Sequence, residues 1–174
     1  MRIARLLPAL ALLMAGCAGY HIGPVKPARL EHIKTIAVNN FKNDTLEPRV
    51  EVLLANAVIK QIQQDGTYRV TDESTADAVL EGSLDEIRRR PSRNVRGNVL
   101  QTREYTLQIR VHYKLKERGT GKLLDDRVVN GTTSFFVSGT GSIAADVNQD
   151  EIQAFPLAAE ELATRLVSEI SEGW

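Results

Sequence analysis

Five arginines fall within nine residues, Arg88-Arg89-Arg90-Pro91-Ser92-Arg93-Asn94-Val95-Arg96, and Arg103 lies just beyond. Guanidinium groups make forked, charge-assisted hydrogen bonds to phosphate and carboxylate oxygens, and they do so better than lysine. Like charges packed this densely repel one another unless anions or acids share the space. The run therefore reads as an anion site in the connection between two strands. Arg110, Lys114 and Lys116, on the wet side of the next strand, are placed to extend it. The plain alternative is a solvated hairpin tip whose charges discourage edge-to-edge association.

The chain has one cysteine, Cys17. One thiol forms no internal disulfide and, without partners at ligand spacing, no zinc site. His21, His32 and His112 are scattered and add no ligand cluster. The residues ahead of Cys17 explain it. Met1 to Arg5 is a short positive start, Leu6 to Met14 is apolar apart from Pro8, and Ala15-Gly16 supplies small side chains. That is the layout of a secretory signal peptide, too short for a permanent membrane helix. Met14-Ala15-Gly16-Cys17 resembles a bacterial lipobox, with Met14 where leucine is more usual. The resemblance implies cleavage before Cys17 and acylation on its sulfur and amino group. One acyl chain anchors marginally, at roughly 0.8 kcal/mol per buried methylene, whereas two or three anchor stably. Ala18, rather than aspartate, resembles lipoproteins sent on to the outer membrane.

No catalytic constellation is present. There is no Gly-x-Ser-x-Gly and no P-loop, and Gly119-x-Gly121 lacks the third glycine and the helix of a dinucleotide site. Adjacent acids at Asp85-Glu86, Asp125-Asp126 and Glu160-Glu161 read as solvated faces, and His112 as a surface residue. The sequence holds 22 basic and 22 acidic side chains. Arg2 and Arg5 leave with the leader, so the remaining 158 residues carry a net charge near −2. That balance argues against a nucleic-acid partner.

The elements that must position these residues follow from periodicity. Residues 1–16 are the expected signal peptide, 17–31 a lipidated tether, and 32–174 a single α/β domain. Thr35-Ile-Ala-Val38 is a short apolar strand ended by Asn39, Asn40, Asn43 and Asp44. A helix follows, with Thr45 as cap, Pro48 in its first turn and Gly66 as its end. Its apolar face is Val50, Leu53, Leu54, Ala57, Val58 and Ile62. Tyr68-Arg-Val70 is a second strand. Ala78, Leu80 and Leu84 alternate with Glu81, Ser83 and Asp85 in a third.

Tyr105 to Lys116 shows the clearest period of two, and Arg127 to Val137 forms the last strand. A C-terminal helix presents Ile152, Phe155, Ala159, Leu162, Leu166 and Ile170, with Pro156 expected to kink it or mark its start. Two amphipathic helices and a half-wet sheet imply an α+β, two-layer sandwich. The sheet is expected to be mostly antiparallel, of about four to five strands, with both helices on one face.

The order of several short motifs resembles the lipopolysaccharide-assembly lipoproteins, LptE. They are Cys17-Ala-Gly-Tyr-His-Ile-Gly23, Ile33-Lys-Thr-Ile-Ala-Val38, Phe41-Lys-Asn-Asp-Thr45, Tyr68-Arg-Val70, Ala76-Asp-Ala-Val-Leu-Glu-Gly82, Glu104-Tyr105 and Thr120-Gly-Lys122. The resemblance implies a non-enzymatic partner inside the outer-membrane barrel LptD. It would plug the pore, assist barrel assembly and help deliver lipopolysaccharide to the outer leaflet. A family lipopolysaccharide contact before the Glu-Tyr pair corresponds to Arg93 or Arg96. A second basic contact before the last helix has no counterpart in Ala144-Ala-Asp-Val147. The opening pattern is shared with curli-type secretion-channel lipoproteins and the N-terminal domain of TolB. A channel former would need further amphipathic strands of about ten residues.

Overall fold

The computed structural model describes residues 26–93, 102–138 and 143–172, and the side chains of 26–92, 104–136 and 150–172. Its elements are β1 (Thr35–Val38), β2 (Lys42–Asn43), α1 (Val50–Asp65), β3 (Arg69–Val70), β4 (Ala78–Arg93), β5 (Thr102–Glu117), β6 (Leu123–Ser138) and α2 (Ile143–Glu172). They form a two-layer α+β fold in which a six-stranded sheet runs β3-β1-β4-β5-β6, with β2 also on β4. The sheet is mixed rather than mostly antiparallel: β1 pairs parallel with β3 and β4, and β2 parallel with β4. The reason lies in α1, which returns the chain to the same end of the sheet between β1 and β3. β2, read from sequence as part of a turn, adds the sixth strand.

The alternation in β5 decides which face is wet. Leu107, Ile109, Val111, Tyr113 and Leu115 are all fully buried, so the residues between them project from the opposite face. On the covered side, α1 lies beside α2, and α2 lies over β5 and β6. Val50, Leu54, Ala55, Val58 and Ile62 of α1 join Phe155, Ala158, Ala159, Leu162, Leu166 and Ile170 of α2 in one core. Leu53 and Ile152, expected inside, are exposed. Gly131 lets α2 come this close: a Cβ there would sit 2.1 Å from the Ala158 carbonyl oxygen.

α1 ends as expected. Gly66 takes φ 75° and its N–H donates to the Ile62 carbonyl. Its start differs, because the helix begins at Val50, preceded by Arg49 at φ 69° and without a side-chain cap. Asn43 organises the approach instead. Its Oδ1 accepts from the Thr45 N–H at 2.9 Å, and its amide donates to the Glu47 carbonyl and Glu51 carboxylate, each at 2.7 Å. Pro156 neither starts nor stops α2, which runs through it from Ile143 to Glu172.

The folded body takes in part of the segment read as a tether, since Leu30 is fully buried. Lys26 Nζ lies 4.6 Å from the centre of the Tyr68 ring. Among the described residues no helix is long and apolar enough to cross a membrane.

Candidate anion-binding face

The arginine segment is not a connection. The strand that begins at Ala78 continues to Arg93, so Arg88, Arg89 and Arg90 lie within β4. A register shift between Leu84 and Glu86 breaks the alternation and hides the strand from a simple count. Pro91 is tolerated because β1 and β2 pair only with residues 78–84 of β4, leaving its far half without a second neighbour among the described strands.

Register then sorts the arginines. Arg88 pairs with Gln108 and Arg90 with Thr106, while Arg110 pairs with Glu86, all on the open face with Lys114 and Lys116. Arg89 pairs with Leu107 and therefore points to the helix side. There its guanidinium donates to both Glu151 of α2 and Glu47 ahead of α1. Burial acts to lower the Arg89 pKa, but the two carboxylates outweigh it and hold it above its ordinary value. Arg89 is a bridge between the layers, not part of the anion set. The sequence carried no sign of this, because Glu47 and Glu151 are brought together by the fold. Arg93 closes β4 opposite Glu104 after a second register shift. Cys17 and Arg96 lie outside the described residues.

Acids share the open face, as the repulsion argument required. Arg88 Nε donates to Glu86 Oε1 at 2.5 Å, and Lys116 Nζ to Glu81 Oε2 at 2.6 Å. Lys114 lies 3.9 Å from Asp126, which also holds His112. The hydrogen bond from Arg88 is the main cause that pulls the Glu86 carboxyl below its usual range, and Arg110 and Arg90 add to it through space. Among the described residues, Arg90 and Arg110 make no hydrogen bond or close ion pair of their own.

Arg110 lines a recess of about 150 Å³ together with Glu86, Arg88, Gln108 and Asn130. A larger groove of about 380 Å³ lies farther along, among Asn39, Asn40, Lys42, Glu81, Gly82, Ser83, His112 and Lys114. Gln108 and His112 were legible as wet-face residues. Lys42 was not, because a two-residue strand carries no period. Among the described residues no three His, Cys, Asp or Glu side chains gather as a metal site.

A family model described as lipopolysaccharide-assembly, LptE, matches residues 33–170. The chain belongs to the LptE family. LptE-type function, lipopolysaccharide assembly, is thus the coarse assignment. Comparison with curated proteins gives no match. Among solved structures, the fold is similar to a hypothetical protein from Chlamydia trachomatis at 7% identity, with a TM-score of 0.53, covering 80% of this chain and 96% of that one. It is also similar to a minor lipoprotein from Acinetobacter baumannii at 16% identity, with a TM-score of 0.51, covering 81% and 94%. At such identities these likenesses concern the fold alone.

Proposed function

We propose that this LptE-family protein is a lipoprotein anchored through Cys17 in the outer membrane. There it works without turnover of its own as plug and assembly partner of the LptD barrel, and it contacts lipopolysaccharide phosphates through the open face of the sheet. The observation that supports the phosphate contact most is that Arg110 lines a polar recess with Arg88 and Glu86, and that neither Arg110 nor Arg90 makes a hydrogen bond or close ion pair among the described residues. Arg88, tethered to Glu86, contributes its remaining donors. Lys114 and Lys116 extend the face, and Arg93 or Arg96 corresponds to the contact that the family resemblance implies. Arg89 is left out, because its donors are already used.

The test is lipopolysaccharide binding by the full chain in detergent, with wild type and Arg90→Ala/Arg110→Ala compared across salt concentrations. Exposed charges are screened over roughly 8–10 Å at ordinary ionic strength, so binding should weaken as salt rises. The double substitution should weaken it at least several-fold, arginine-to-lysine versions should rescue only in part, and dephosphorylated lipid A should bind less. Equal binding by wild type and variant returns these cations to a merely solubilising role. For the anchor, Cys17→Ala should leave the membrane fraction, and an N-terminus without acyl mass would refute it. For the barrel, LptD should co-purify from detergent-solubilised membranes.

A further inference from the structure

β6 ends the sheet among the described strands. Its register with β5 is unbroken from Asp126 to Ser138, so every second residue is of one kind. Two of them reveal where their N–H groups point. The Asp126 N–H donates to Asp125 Oδ1 at 3.2 Å, and the Thr132 N–H donates to the Glu161 carboxylate of α2. Both therefore face away from β5. Alternation puts the N–H and C=O of Val128, Asn130, Ser134 and Phe136 on that same outer margin. Groups repeated at about 6.6–6.8 Å along a line are matched by one kind of partner, another extended backbone.

The sequence of this margin is unguarded. Residues 128–138 contain no charged residue and no proline, and they are rich in valine, threonine and phenylalanine. Exposed edges are usually protected by lysine, proline or a bulge. The other margin of the three long strands, β4 from Glu86 to Arg93, has all but the lysine: Arg88, Arg90, Pro91 and two register shifts. On β6, by contrast, Val128 is 42% and Phe136 59% exposed, both on the open face.

We infer that the outer edge of β6, residues 128–136, accepts an uncharged extended segment of a partner polypeptide as an added strand. Its apolar side chains would lie over Val128 and Phe136. β6 itself offers the middle of that segment only the uncharged Asn130, Thr132 and Ser134 on the open face, so a charge there would lose water without a counter-charge from the strand it pairs with. A second copy of the chain fits poorly. At Gly131, where the Ala158 carbonyl of α2 overlies β6, pairing two β6 edges about a two-fold axis would bring the two α2 helices against each other. Glu161 is a removable guard: it covers the Thr132 N–H while paired to Arg165 at 2.5 Å, and an arriving strand displaces it.

The probe is a labelled peptide copying residues 128–136 with solubilising lysines at both ends, added to the full chain in detergent. Paired antiparallel about Thr132, its Val128 faces Phe136 and its Phe136 faces Val128. Saturable binding is expected, with slowed hydrogen exchange at the amides of Val128, Asn130, Ser134 and Phe136. Ser134→Pro removes an outward donor and should weaken binding at least tenfold with an unchanged melting temperature. Ser134→Lys, which keeps the backbone, should do the same by placing a charge in the margin. Glu161→Ala should tighten binding several-fold.

No saturable binding, unchanged exchange at those amides, or equal binding by Ser134→Lys would overturn the inference. So would dimerisation of the chain abolished by Ser134→Lys, which would make the occupant a second copy. The readout does not involve Arg90 or Arg110, so this inference and the phosphate reading fail separately.

Discussion

The long strands β4–β6 pass through two regions built on different chemistry. Sixteen residues at roughly 3.3 Å each give strands of about 53 Å, and α1, at about 24 Å, covers less than half of that length. The near half of the sheet, where β1, β2 and β3 join β4, is packed mainly with aliphatic side chains: Ile36, Leu80, Leu84, Leu115 and Leu54 are fully buried. The far half has only three strands, and its helix side includes Arg89, bridged to Glu47 and Glu151, beside the stacked pair Tyr105 and Phe135 at 5.6 Å. The near half is mainly aliphatic, with one polar cluster in which Asp125 accepts from Tyr113 and pairs with Arg29 and Arg127. The far half is held partly by charge, and it carries the open arginines and the greater part of the outer β6 margin. Aliphatic packing dominates where β1, β2 and β3 join the sheet, and the open arginines stand at the other end.

The contrast can be broken most severely in the near half. Leu80→Ala should cost about 2–5 kcal/mol, since a fully buried leucine leaves both a lost transfer term and a cavity. Urea unfolding should show a lower midpoint with the slope unchanged. A loss below about 1 kcal/mol would mean that the near half is not the packed core.

In the far half, Arg89→Met should cost about 2 kcal/mol, because Glu151, only 4% exposed, would keep a charge without its partner. The penalty falls short of that for a fully buried pair because Arg89 still reaches solvent. Adding Glu151→Leu should recover most of the loss. If the double variant is no better than the single one, the bridge is not what joins the layers there.

A third test uses pH. Burial raises the Glu169 carboxyl pKa, while the Tyr113 hydroxyl and Arg127 pull the other way and Asp125 adds to the rise. Tyr113 Oη lies 3.0 Å from Glu169 and 3.1 Å from Asp125, with one proton to donate between them. A carboxyl whose folded pKa is raised contributes stability that is full below its ordinary value, about 4.3, and lost as pH rises through the folded value. Glu169→Gln should therefore flatten the fall in melting temperature above that range. It should stabilise at neutral pH by less than about 1 kcal/mol, allowing for solvent screening. An unchanged pH profile would remove Glu169 from this role. The smallest effect is expected on the open face, where Arg90→Ala/Arg110→Ala should change stability by within about 0.5 kcal/mol.

These two halves were not equally legible. The near half followed from periodicity: β5 alternates without a break, and α1 and α2 show their apolar stripes, so the two-layer α+β arrangement could be read before any coordinates. Leu53 and Ile152 are the exceptions, since a helical stripe shows which side is apolar but not where the cover ends. The far half was misread. The shift between Leu84 and Glu86, three consecutive arginines and Pro91 together made a strand look like a loop.

Sequence alone determined the apolar periods, the Gly66 helix end and the list of cations, because these depend on residues a few positions apart. The tertiary structure decided what each cation is for. Arg88, Arg89 and Arg90 are chemically identical neighbours, yet the pleat sends the middle one toward the helices and the outer two to water. Only the packing of α2 and the Asn43 turn brings Glu151 and Glu47 within reach of it. The same is true of the parallel pairing of β1 and of the β6 edge. Hydrogen bonding between strands depends on which segments lie side by side, and the covering helices choose that.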